Sequence, residues 1–170
     1  MSGDEKAFAE FFRESWDPCL KAVAASTGDM QLAEEHLADA FARAWASWPK
    51  VSRHPALRAW VVRAALNAGV SRWRRRAREL PLADHDVEAS GSPGTGLDAV
   101  LLAALRRLPE RQREVIVLRV LLDLDIETTA RELEIAPGTV RAHLSRAVTT
   151  LRNELDQAKT LEADQCTTPT

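Results

Sequence analysis

Cysteine is scarce in this chain: two residues, Cys19 and Cys166, in 170. Two thiols so far apart make no disulfide scaffold, and the expected setting is a reduced, cytoplasmic one. No apolar run approaches the roughly 18 residues that a membrane span requires, so membrane insertion is not expected. The opening MSGDEKAFAE places acids early and lacks the apolar stretch of a signal peptide. Proline (8) and glycine (7) are few, which leaves long stretches without breakers. Alanine, leucine, arginine and glutamate dominate them, and these residues favour helices. Catalytic signatures are also missing. His36, His54, His85 and His143 are scattered, and none stands with a cysteine at zinc-ligand spacing. There is no glycine-rich phosphate loop and no Gly-x-Ser-x-Gly elbow. The expectation is a protein without catalytic residues, metal or cofactor, and not an enzyme.

What the chain does have is segregated charge. The formal net charge is −2, but residues 1–42 carry nine acids and three bases, a net of −6. Residues 43–83 carry ten bases and one acid, Glu79, a net of +9. Residues 84–98 hold four acids and no base, and residues 99–155 are close to balance with nine bases and eight acids. A strongly basic block between acidic ones suggests a polyanionic partner, nucleic acid first of all. The blander alternative is an arginine-rich helix face paired with the acidic N-terminal segment.

The segment 84–96 (DHDVEASGSPGTG) keeps neither helical nor strand periodicity and reads as an acidic flexible linker. It separates an N-terminal unit, 1–83, from a C-terminal unit, 97–155, and a polar tail, 156–170, is expected to be disordered. The fold expected is all-α: two small helical domains, an N-terminal bundle and a C-terminal helix-turn-helix domain. In the first, Phe8, Phe11, Phe12 and Trp16 fall at helical spacing, and Pro18 should kink or restart that helix. Asp29 suits an N-cap. Leu37, Phe41, Trp45 and Trp48 follow on one helix face, with Trp45 and Trp48 read as core, and Pro49 closes it. A basic loop, Lys50–His54, precedes a helix beginning at Pro55 with Leu57, Val61, Ala64 and Ala68 inward.

In the second unit, a helix over Leu97–Leu108 stops at Pro109, and another spans Glu110–Leu122. Ile126–Leu133, a turn at Glu134-Ile135-Ala136 and a helix opening at Pro137 make a helix-turn-helix pattern. Val140, Leu144, Ala147 and Leu151 form the inward stripe of the last helix. Thr139, Arg141, Ala142, His143, Ser145 and Arg146 are left outward, as donors suited to phosphates and base edges in a major groove. The run Arg72-Trp73-Arg74-Arg75-Arg76-Ala77-Arg78, with Trp60 upstream, adds indoles among arginines, a combination that stacks on unpaired bases. Glu34, Glu35 and Asp39 read as docking or solvated surface acids.

These residues resemble a known family. Thr27-Gly28-Asp29, Ala33-Glu34-Glu35, Ala40 to Trp45, Ala59-Trp60, Arg63, Asn67 and the arginine run resemble conserved region 2 of bacterial sigma factors. Leu108 to Glu114, Leu118-Arg119, Thr129-Ala130 and Gly138 to Ala147 resemble region 4. Both, with only a short linker between, resemble the extracytoplasmic-function (ECF) type of the sigma-70 family. The resemblance implies a promoter-specificity subunit of RNA polymerase. Region 2 would bind the β′ clamp of core RNA polymerase and grip the −10 element where strands separate. Region 4 would bind the −35 duplex and the β flap. An anti-sigma factor is an implied partner besides promoter DNA and the polymerase. By position, Glu34, Glu35, Asp39 and Arg43 would face polymerase. Lys50, Ser52, Arg53, His54, Trp60, Arg63, Asn67, Ser71, Arg74 and Arg75 would contact −10 DNA. The family pattern has aspartate where this chain has Ser71, and glycine and serine where it has Glu134 and Ala136. The alternative reading is a stand-alone helix-turn-helix transcription regulator of the response-regulator output type, with a helical sensor in front.

Overall fold

A computed structural model of the chain describes residues 2–67 and 99–165, and among them there are helices and no strand. The linker 84–96, the arginine run 72–78 and the last five residues lie outside the described residues. The all-α expectation is met.

The first helix, α1 (Gly3–Thr27), opens on a reciprocal cap: Glu5 N–H donates to Ser2 Oγ, while Ser2 N–H donates to Glu5 Oε2. It closes at Gly28, whose φ of 73° is left-handed and whose N–H donates to Ala24 O. A Cβ at Gly28 would lie 2.5 Å from Cδ of Arg106, so glycine meets two demands there, the backbone angle and a close neighbour. Pro18 neither stops nor restarts this helix. A mid-helix proline leaves the carbonyl four residues earlier without its N–H partner. That carbonyl belongs to Glu14, and Arg58 Nη2 donates to it at 3.2 Å while Arg58 Nε donates to the buried Ser15 Oγ. A side chain 44 positions away thus satisfies the group that proline abandons.

Asp29 caps α2 (Met30–Ala46) by accepting from Leu32 N–H at 3.0 Å. The helix ends at Ser47, and Trp48 and Pro49 begin a separate short helix, α3 (Trp48–Val51). Proline here occupies a first turn, where its missing N–H is harmless. Trp48 is buried as expected. Trp45, expected in the core, is 43 % exposed at the edge of an aromatic cluster. Phe8 lies 5.1 Å from both Trp45 and Trp48, and Phe12 lies 4.9 Å from Phe41. The helix α4, residues 57–67 among those described, buries Ala59, Val61, Val62 and Ala65. Small residues let these helices approach closely: Ala22, Ala25, Ala33, Ala40, Ala44 and Ala59 are fully buried.

The C-terminal unit comprises α5 (Ala99–Arg107), α6 (Glu110–Ile116), α7 (Ile126–Leu133) and α8 (Pro137–Gln165). The expected helix Glu110–Leu122 is α6 continued as a π-helical segment, Val117–Leu121, in which Leu122 N–H reaches back five residues to Val117 O. Leu105, Val115, Val117, Leu118, Leu133, Val140 and Ala147 are buried in this unit. Helix α8 runs ten residues beyond Asn153–Leu155 to Gln165, where a disordered tail was expected. Alanine, glutamine, lysine, leucine and glutamate make up seven of those ten residues, with no proline or glycine, so propensity favours the helix. An ion pair of Arg107 on α5 with Glu154 also ties down its middle.

The two units are packed together. Helix α1 lies against α5 and the π-helical segment, and their buried apolar residues form one continuous core.

Candidate nucleic-acid interface

The helix-turn-helix is built from its caps inward. Asp125 starts α7 by accepting from Thr128 N–H at 2.6 Å and from Thr128 Oγ1 at 3.1 Å. Those bonds favour the ionised form, the backbone one most, and hold the Asp125 carboxyl below its ordinary range. Glu134 ends α7 in the left-handed region, at φ 56° and ψ 42°, and Ile135 N–H returns to Ala130 O. Glutamate therefore takes on the backbone angle for which glycine is the cheaper residue. Thr139 and Val140 N–H both return to Ala136 O, so α8 starts from a position with no side-chain acceptor, supported by Pro137 in its first turn.

On α8, Val140 and Ala147 are fully buried, and Leu144 and Leu151 are half-buried. Thr139, Arg141, Ala142, Ser145 and Arg146 are exposed together. His143 departs from the expected outward set: it is half-buried, and its Nδ1 is enclosed without a hydrogen-bond partner. The reason is angular, since three residues past Val140 is about 60° from the inward direction at 3.6 residues per turn. Arg141 Nη2 stands 3.7 Å from Glu127 Oε1, with both side chains mostly exposed. A pair of that kind is weakly held and yields readily to a phosphate.

In the N-terminal unit, Lys50, Ser52 and Arg53 are exposed on α3 and the turn after it. His54 is half-buried, and its Nδ1 accepts from Ala56 N–H at 3.1 Å, a bond that sets the start of α4. In the neutral ring the proton must then sit on Nε2. Trp60 is half-buried against the core, Arg63 is half-buried and Asn67 is exposed. Ser71, Arg74 and Arg75 lie outside the described residues. On α2, Glu34, Glu35 and Asp39 are exposed on one side. Arg43 is committed otherwise: its Nη2 donates to Ala64 O at 3.0 Å and its Nε to Asp39 O, which ties α2 to α4.

Three residues that the sequence did not single out organise this region. Arg58 serves the Pro18 site. Arg113 on α6 donates to Ser26 O at the end of α1 and to Leu108 O. Glu132 on α7 is buried, with one oxygen 3.6 Å from His54 Nε2 and the other 3.6 Å from Arg63 Nη1. Their sequence signal is slight, because each matters through a partner distant in the chain. Cys19 is fully buried, its thiol pushed up to about 12 by burial, with Arg58 pulling weakly the other way. It is no nucleophile. Among the described residues no group of His, Cys, Asp and Glu could hold a metal ion, and no helix is long and apolar enough to cross a membrane.

Exposed donors after α3 in the N-terminal unit and an outward arginine pair on the helix-turn-helix are features that suit a two-part DNA-binding protein. Residues 14–79 match the family model for sigma-70 region 2, and residues 98–151 match that for sigma-70 region 4. The RNA polymerase sigma-E factor of Streptomyces antibioticus is 31% identical over 96% of this chain and 94% of its own length. The ECF RNA polymerase sigma factor SigW of Bacillus subtilis is 26% identical over 90% of this chain and 91% of its own. The solved structure of the sigma factor RpoE from Bartonella quintana, in complex with the anti-sigma factor NepR, superposes with a TM-score of 0.70 at 25% identity, covering 89% of this chain and 98% of that one. The chain belongs to the sigma-70 family, as a member of its ECF group. The match to region 2 disfavours the stand-alone regulator, whose sensor has no need of it.

Proposed function

We propose that this protein is a promoter-specificity subunit that directs core RNA polymerase to its start sites. It acts in the cytoplasm and does no catalysis of its own. The observation that carries this reading is the outward face of α8: Thr139, Arg141, Ala142, Ser145 and Arg146 stand exposed opposite the buried Val140 and Ala147. Entering a major groove N-terminus first, that face places two guanidinium groups where they bond phosphates or the O6 and N7 of guanine. This is the −35 contact, and His143, turned partly inward, supports the helix from behind. The N-terminal unit takes the −10 element. Lys50, Ser52 and Arg53 hold the strand at the turn after α3, while His54, Arg63 and Asn67 contact it from the start and outer face of α4. Ser71, Arg74 and Arg75 extend the same set, and Trp60 serves mainly to seat α4. Glu34, Glu35 and Asp39 dock on the β′ clamp, with Arg43 bracing their helix, and the C-terminal unit docks on the β flap. An anti-sigma factor is the expected negative regulator, as the Bartonella relative is seen in complex with one.

The test is a double substitution, Arg141→Ala with Arg146→Ala. Transcription from −35-dependent promoters should fall by orders of magnitude, since each lost base contact is worth about 1–3 kcal/mol. Binding to core polymerase should persist. Equal loss of polymerase binding would show that these arginines do not face DNA.

A further inference from the structure

Of the two outward arginines on α8, Arg141 has an acid beside it. Its Nη2 lies 3.7 Å from Oε1 of Glu127, within ionic reach and too far for a hydrogen bond. Among the described residues, Arg146 forms no ion pair. Glu127 sits in the first turn of α7, where the Asp125 cap fixes the backbone. Helix α7 packs against α8, so the carboxylate and the guanidinium are carried on one frame. Neither side chain belongs to the core, and both are mostly exposed. A pair this exposed contributes little stability. Stability therefore does not account for an acid placed beside an arginine of the outward face.

We propose that Glu127 is a positioning residue that sets specificity in the −35 contact, biasing Arg141 toward a guanine edge and away from a phosphate. This rests on the reading of α8 given above. Arg141 leaves so loose a pair easily, but the carboxylate stays beside whatever Arg141 takes up. A phosphate brings a second negative charge toward Glu127 and is repelled. Guanine presents O6 and N7, neutral acceptors that the guanidinium fork takes bidentately, and it meets no such repulsion. The guanidinium has more N–H groups than guanine uses, so one stays directed at Glu127 and fixes the plane of the fork. At this range in water the repulsion is worth about threefold to fivefold in occupancy, and less as salt rises. Specificity is a difference of affinities. An acid that weakens the phosphate contacts of Arg141 therefore sharpens base readout while lowering total affinity. Arg146, with no such neighbour, is the internal comparison.

The experiment uses core RNA polymerase carrying the full-length chain, and a pool of promoters built on one mapped start site with the −35 element randomised. Transcripts are counted by barcode sequencing. The unaltered chain should favour guanine within the element, and Arg141→Ala should abolish that preference at one position. Glu127→Gln should cut the same preference about threefold to fivefold, by raising transcription from promoters that lack the guanine. Any preference that Arg146→Ala removes should be untouched by Glu127→Gln. In an Arg141→Ala background, Glu127→Gln should change no preference at all. Glu10→Gln, which removes an exposed acid of α1, should change none in either background. A guanine preference that Arg141→Ala removes and Glu127→Gln leaves at full strength overturns the proposal and leaves the −35 contact standing. A loss spread evenly over all positions does the same, since it marks a general structural effect. If Arg141→Ala alters no base preference, or the unaltered chain starts no transcripts, the reading of α8 fails and the proposal falls with it.

Discussion

Replacing Gly28 by alanine tests how the end of α1 is joined to the C-terminal unit. The residue is held at φ 73° and ψ 7°, where a side chain costs about 1–2 kcal/mol. The new methyl would also lie 2.5 Å from Cδ and 2.6 Å from Nε of Arg106, so that side chain must move. Displacing a flexible side chain from a packed position adds about 1 kcal/mol, at the low end for overpacking. The total, about 2–3 kcal/mol, should lower the melting temperature by roughly 5–10 °C for a chain of this size. The two contributions separate in a double-mutant cycle with Arg106→Ala. With the arginine gone, only the backbone strain remains, so Gly28→Ala should cost about 1 kcal/mol less in that background. Thermal unfolding followed by circular dichroism gives all four values. Equal destabilisation in both backgrounds would show that Arg106 does not press on this turn, and no destabilisation in either would refute the left-handed backbone itself.

Two other consequences follow from the titrating groups. Cys19, with its thiol pushed up to about 12 and no exposed surface, should resist alkylation by iodoacetamide in the native chain and react once the chain is unfolded; mass spectrometry of the modified peptide decides it. Asp125 has its carboxyl lowered by the Thr128 N–H. A lowered folded value stabilises the ionised form, so its contribution is complete above the ordinary aspartate range. It is lost as pH falls through the lower, folded value. Asp125→Ala should therefore lower the melting temperature at neutral pH and make little difference in strong acid, whereas a constant difference at every pH would contradict the capping role.

The helix-turn-helix could be read from the chain because its signals are local. Glu134 turns, Pro137 starts, and Val140, Leu144 and Ala147 repeat at helical spacing. The same locality explains Asp29. The misjudged features depended on distant partners. Pro18 looked like a break, but Arg58 supplies the bond that proline removes, and no local pattern announces it. Trp45 belonged to a periodic aromatic face, yet it lies at the rim of the cluster, where period alone does not separate edge from centre. The π-helical segment hides in a run of aliphatic residues that fits any helix. Nothing local marks Glu132; its burial follows from how the two units meet. The tail was judged on polarity, whereas residues up to Gln165 continue α8, in keeping with their helical propensity.

The most direct measurement mixes the purified chain with bacterial core RNA polymerase and genomic DNA fragments, then maps the 5′ ends of the transcripts. A stable complex and discrete new start sites, preceded by shared −35 and −10 sequences, are the predicted result. A chain that ignores polymerase and binds duplex DNA alone as a dimer would contradict the account.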